Sequence, residues 1–244
     1  MFRNRMKTIV WLGLWCALCA APSFAQNAIR SDELPPATSP TPTNDPTDDV
    51  QWWPDLLLNW HMKPTFSLNL FGTVRRGQHN DAPSATQLGG GFNWALHRNF
   101  SLASQYRHVV TTPTPTRRAE EERLHIDGTP RANLGAGFTF SDRNRVEFRH
   151  VNGVFSMRYR NRSQIERPVR LTFNGQEQPI TPYFSFEVFY DSRSRAWSRK
   201  QIYTGARVPL IKHVTFNGFY MRQFDAQARP GYLDVIGTFL QFEF

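Results

Sequence analysis

From Trp52 to the C-terminus, apolar and polar residues alternate with a period of two, a pattern that β-strands satisfy and helices do not. Phe66, Leu68, Leu70, Gly72 and Val74 share one face, against Ser67, Asn69, Thr73 and Arg75 on the other. Val146 and Phe148 oppose Arg145, Glu147 and Arg149, and Phe155, Met157 and Tyr159 oppose Arg158, Arg160 and Arg162. Phe184, Phe186 and Val188 oppose Ser185 and Glu187, and Ile202, Thr204, Ala206 and Val208 oppose Tyr203 and Arg207. Tight breaks fall at Met62–Pro64, His97–Asn99, Ser141–Asn144 and Ile211–Lys212, longer polar ones at 76–85, 111–119, 191–200 and 224–230, and 167–181 is an exception, a longish connection on the side of the tight, periplasmic turns. Short turns alternating with long loops are the build of an outer-membrane barrel. The expected fold class is therefore all-β: an antiparallel transmembrane β-barrel of ten to twelve strands. Ten are counted from Thr65. Trp52–His61 makes an eleventh, and a split at the turn-like Asp127–Pro130 restores an even number.

Alternation alone does not say which face meets water, because a soluble barrel hides its apolar face and a membrane barrel displays it. The arginines decide. An Arg facing lipid at the midplane costs ~2–4 kcal/mol, and Arg158, Arg160 and Arg162 sit on one side of one short strand. That side is expected to face an enclosed lumen. Trp60, Phe66, Trp94, Phe100 and Phe140 flank the tight turns, as in an interfacial aromatic girdle. The chain ends on Phe242 and Phe244 in an alternating strand, which resembles the C-terminal signal read by the barrel-assembly machinery.

The N-terminus points to export. Arg3, Arg5 and Lys7 precede a run of about 13 apolar residues, Ile9–Ala21, and Ser23-Phe24-Ala25 offers small residues at a cleavage site. The run falls short of the ~20 residues a spanning helix needs. Residues 1–25 are thus read as a signal peptide, 26–51 (with Pro35, Pro36, Pro40, Pro42 and Pro46) as a flexible periplasmic leader, and 52–244 as the barrel. Both cysteines, Cys16 and Cys19, lie in the signal, so the exported part has no thiol. With Arg3, Arg5 and Lys7 removed from a net charge of +9, the exported part keeps +6, and it has no nucleic acid to meet outside the cytoplasm. The expected location is the bacterial outer membrane, and the expected surroundings are its lipid and lipopolysaccharide.

Several stretches resemble one known group. Glu121-Glu122-Arg123-Leu124-His125, Arg145-Val146-Glu147-Phe148-Arg149 and Arg158-Tyr159-Arg160-Asn161-Arg162 look like the bacterial outer-membrane family called domain of unknown function 2490. So do the opening Trp53–Trp60 strand, Glu187, Gln201-Ile202-Tyr203-Thr204-Gly205 and Tyr220-Met221. The resemblance covers about 53–244, and Asp127–Pro130 departs from it. It implies a barrel and a compartment, with no established activity.

The expected functional feature is a charge network in the lumen: Arg107, Arg123, Arg145, Glu147, Arg149, Arg158, Arg160, Arg162, Glu187 and Arg207, with Arg75, Arg131, Asp127, Glu166 and Glu243 also facing inward. Paired with the carboxylates, these arginines rigidify a filled interior. Left in excess, they make a narrow pore that prefers small anionic solutes. No enzyme activity, metal or cofactor is expected. No Gly-x-Ser-x-Gly occurs, the seven His lack metal-ligand spacing, and His125 with Asp127 is the one suggestive acid–base pair. The alternatives are a soluble secreted β-barrel that binds a ligand, and an outer-membrane hydrolase with its site at the rim.

Overall fold

A computed structural model describes residues 50–77, 84–114, 117–173, 175–226 and 231–244. The expected signal peptide and the leader up to residue 49 lie outside the described residues. Twelve strands follow in order: β1 (Val50–Lys63), β2 (Phe66–Gly77), β3 (Ala85–His97), β4 (Phe100–Thr114), β5 (Arg117–Gly135), β6 (Phe138–Val151), β7 (Val154–Glu166), β8 (Val169–Phe173), β9 (Gln176–Asp191), β10 (Ala196–Ile211), β11 (Val214–Asp225) and β12 (Tyr232–Glu243). The strand ladder therefore already includes Val50 and Gln51, two residues earlier than the sequence boundary.

Eleven of the strands close into a ring, β1 to β7 and then β9 to β12, with β12 returning to β1. Closure leaves no free edge in the ring and satisfies its backbone without solvent. All neighbours in the ring are antiparallel except β12 and β1, which run parallel from Val50↔Asp234 to Asn59↔Glu243. The expectation of a wholly antiparallel barrel is thus corrected. An odd number of strands cannot close antiparallel, because the first and last then point the same way. β1 consequently begins at the end of the barrel that carries the β6–β7 and β9–β10 connections, and β12 finishes at the end that carries the β1–β2 and β5–β6 turns.

Three further readings are revised. Ser141–Asn144 is not a turn but lies inside β6, and the chain reverses at Ala136-Gly137 instead. Gly135, Ala136 and Gly137 have φ of 86°, 50° and 80°, the left-handed region that glycine enters without steric penalty. β5 runs unbroken through Asp127–Pro130, which pair with Ala103–Phe100 on β4. The expected loop 167–181 contains β8, which forms a hairpin with the first residues of β9, Gln176–Ile180, and takes no place in the ring.

The two faces differ as the alternation requires. Outward residues such as Leu68, Leu70, Leu88, Leu124, Ile126, Phe184, Phe186 and Ile236 are exposed. Inward Asn69, Gln87, Gln105, Glu121, Asp127, Ser185 and Gln201 are buried. Two inward regions form the interior. One is a small apolar cluster, Tyr183, Tyr203, Met221 and Val235, with Trp53, Phe219 and Leu233 packed on it. The other is charged.

Candidate functional site

β5, β6, β7 and β9 each project alternate side chains into the lumen, and their register sets charges of opposite sign side by side. Asp127 lies directly across from Arg145, Glu147 from Arg158, and Glu187 from Arg162. Arg145 grips Asp127 with two bonds, Nε to Oδ1 at 2.7 Å and Nη2 to Oδ2 at 2.6 Å. Arg149 does the same to Glu121, at 2.6 and 2.7 Å, while Arg123 Nε donates to Glu121 Oε1 at 2.7 Å. Such forked, charge-assisted contacts fix orientation as well as distance.

Glu147 and Glu187 occupy the middle of the network, and both are 0% exposed. Arg160 bridges them, with Nη1 2.8 Å from Glu147 Oε1 and Nε 3.0 Å from Glu187 Oε1. Arg143, which sequence reasoning left out, adds a second donor to Glu187 at 2.7 Å. Its partner lies two strands away, a relation no spacing along one strand reveals. Glu147 Oε2 takes no hydrogen bond, and Arg123 Nε stands 4.0 Å from the carboxylate. At the rim Arg158 donates to Asp191 at 2.8 Å, and Arg207 reaches Glu166 at 2.5 Å.

Not every predicted arginine finds a carboxylate. Among the described residues none lies within 4 Å of Arg107 or Arg162. Arg162 Nε donates to Ser185 at 3.0 Å, and its guanidinium lies 4.3 Å over the Tyr203 ring. Arg107 Nε donates to Gln105 at 2.7 Å and stacks 4.2 Å over Phe71. Arg75 lies 3.9 Å over Trp53. Stacking of this kind replaces hydration with the negative face of a ring. Arg131 is exposed, against expectation. It sits past Pro130↔Phe100, where β4 begins, so no lumen remains for it to face.

His125 and Asp127 both point inward, but both Asp127 oxygens are held by Arg145, and His125 Nδ1 has no hydrogen-bond partner. Among the described residues no three His, Cys, Asp or Glu side chains gather as a metal site. Phe242 and Phe244 end the chain on the outward side. The Phe244 ring lies 6.0 Å from Trp60, and its backbone bonds to His61 and Asn59 close the β12–β1 seam.

The interior thus holds a network of ion pairs beside the apolar cluster. Tyr203 joins the two, its hydroxyl 2.5 Å from Gln201 Oε1 and 3.3 Å from Glu187 Oε2.

Comparison with known proteins gives one family. The family described as "Protein of unknown function (DUF2490)" matches residues 50–233. No curated protein matches in sequence. Among solved structures, a bacterial polysaccharide outer membrane secretin is similar at 8% identity and a TM-score of 0.37, over 69% of this chain and 71% of that one. The siderophore receptor PirA from Pseudomonas aeruginosa is similar at 14% identity and a TM-score of 0.28, over 71% of this chain and 34% of that one. Both are too distant to transfer a function.

Proposed function

The chain belongs to the DUF2490 family of proteins of unknown function, and from that premise we propose that it is an outer-membrane β-barrel with a filled lumen, a structural component of the bacterial envelope. The observation that carries the reading is an inside-out distribution of polarity. Trp52, Leu56, Leu68, Leu88, Trp94 and Phe184 are each 42–61% exposed on the outer wall, whereas Glu147 and Glu187 are 0% exposed inside it. In water such a wall would be a greasy patch far beyond the few hundred Å² that soluble monomers display. In hydrocarbon it is the stable face, and the ionic interior is the one that must be sheltered.

Strand number supports the filled state. About 8 strands give an interior just wide enough for side chains, and about 16 leave an aqueous channel. Eleven strands lined by arginines stand nearer the first. The reading is tested by separating inner and outer membranes on a density gradient. The processed chain is expected in the outer fraction, released only by detergent, and its recovery as a freely soluble monomer would overturn the reading. The second reading, a narrow anion-preferring pore, is favoured by Arg75, Arg107 and Arg162, which are stacked on aromatic rings with no carboxylate within 4 Å among the described residues.

A further inference from the structure

The interior is not packed solid. A cavity of about 170 Å³ lies between opposite walls, reached by Phe239 of β12 on one side and by His125 and Arg145 on the other. Ala103 of β4, on its wall, contributes only one methyl group.

The polar groups at this cavity are unequally committed. Asp127 is spent on Arg145 through both oxygens. Gln105 is spent as well, donating to Asn69 at 2.7 Å and accepting from Arg107 Nε at 2.7 Å. Arg107 is only half used. Its guanidinium is held flat, 4.2 Å over Phe71, and its Nε is tied to Gln105. Among the described residues its two Nη groups have no hydrogen-bond partner and no carboxylate within 4 Å. His125, 2% exposed, also lines the cavity, and its Nδ1 has no partner. A fixed, planar pair of N–H donors suits an oxyanion, and the small cavity with its apolar rings suits a carboxylate joined to a small apolar body.

We propose that this cavity is a binding site for a small organic carboxylate, taken end-on by the two Nη groups of Arg107, with its apolar part against Leu57, Phe71 and Phe239. The site does not depend on where the barrel resides, since it is formed wholly by inward side chains. A barrel recovered outside the outer membrane would therefore leave it standing, and a failure to bind would leave the proposed location standing.

The test is calorimetric titration of the purified full-length barrel in detergent with benzoate, up to about 10 mM, where millimolar affinity still registers. The expected result is saturable binding at one site per chain, weakened at least about tenfold in Arg107→Gln, because the forked contact is lost. Arg107→Lys, which keeps the charge without the fork, is expected to fall between the two. Ala103→Leu, which fills the space and leaves every charge in place, is expected to abolish binding and keeps the proposal testable if the arginine variants do not fold. Benzyl alcohol, the neutral analogue, is expected to bind far more weakly. Absence of saturable binding, equal binding of benzyl alcohol, or wild-type affinity in Ala103→Leu would each overturn the proposal.

Discussion

Asp127 on β5 and Arg145 on β6 face each other across the ladder and are joined by two bonds of 2.7 and 2.6 Å, each residue 6% exposed. Each shelters the other from an interior that would otherwise hold a bare charge. Replacing Asp127 alone by Asn strands the guanidinium, and breaking a buried pair in this way costs about 3–5 kcal/mol. Replacing both by Leu removes two desolvation penalties together and is expected to cost far less. Urea unfolding of the two variants in detergent checks this, and equal destabilisation of single and double variants would show that the pair is not the unit of stability.

A different balance governs the outer wall. Asp142, Asn144, Tyr159, Asn161 and Ser163 form a polar island on the outward faces of β6 and β7, with Phe140 and Ile165 on one side and Val146 and Met157 on the other. Asp142 gathers it, accepting from Asn161 at 2.9 Å, Ser163 at 2.9 Å and Asn144 at 3.1 Å. Asp142→Ala removes three hydrogen bonds and leaves Ser163 Oγ without its acceptor, and is expected to destabilise by about 1–3 kcal/mol. Replacing Asp142, Asn144, Asn161 and Ser163 together by apolar residues removes the donors too and is expected to recover most of that loss in lipid. Thermal unfolding in liposomes measures both. If the multiple variant is the less stable one, the island is held by something other than its own hydrogen bonds.

The parallel β12–β1 seam has a topological consequence. Val50 lies at the same end as the Ser192–Arg195 connection, and Ala136-Gly137 at the other. An epitope inserted before Val50 is expected to be labelled on the same side of the membrane as one at Ser194, and opposite to one at Ala136. Labelling on the Ala136 side would require an even number of strands.

Close approach constrains β3. At Gly91 an added methyl would lie 2.0 Å from the Ser104 oxygen and 2.7 Å from Gln105 Cα, both backbone atoms that cannot swing aside. Gly91→Ala is expected to cost at least about 1–3 kcal/mol, read from the denaturation midpoint. At Gly72 the nearest atom to an added Cβ is Leu88 Cδ1 at 4.0 Å, so Gly72→Ala is expected to be nearly neutral.

Facing was readable from the chain, because it follows from parity within one strand: Leu68 and Leu70 point opposite to Asn69 whatever their neighbours do. Partner choice was not. Arg145 could be seen to share a face with Glu147, yet it takes Asp127, because the β5–β6 register puts those two directly opposite. The turn was misplaced for a related reason. Ser141-Asp142-Arg143-Asn144 has the composition of a turn, but its polar residues serve the lumen and the outer island, whereas Gly135-Ala136-Gly137 has the backbone freedom a reversal needs. Met221 and Val235, fully buried inside, gave no signal, since an apolar residue on an inward position reads like a lapse in alternation. The parallel closure depends on a pairing almost the full length of the barrel apart, beyond any local pattern.

Single-channel recording in planar bilayers tests the filled interior most directly. The wild-type barrel is expected to show no stepwise conductance, because Glu147 and Glu187, both 0% exposed, are held inside the barrel by Arg160, which bonds to each. Steady stepwise openings of the wild-type protein, abolished when Arg107 and Arg162 are neutralised, would contradict a filled lumen and favour an anion pore.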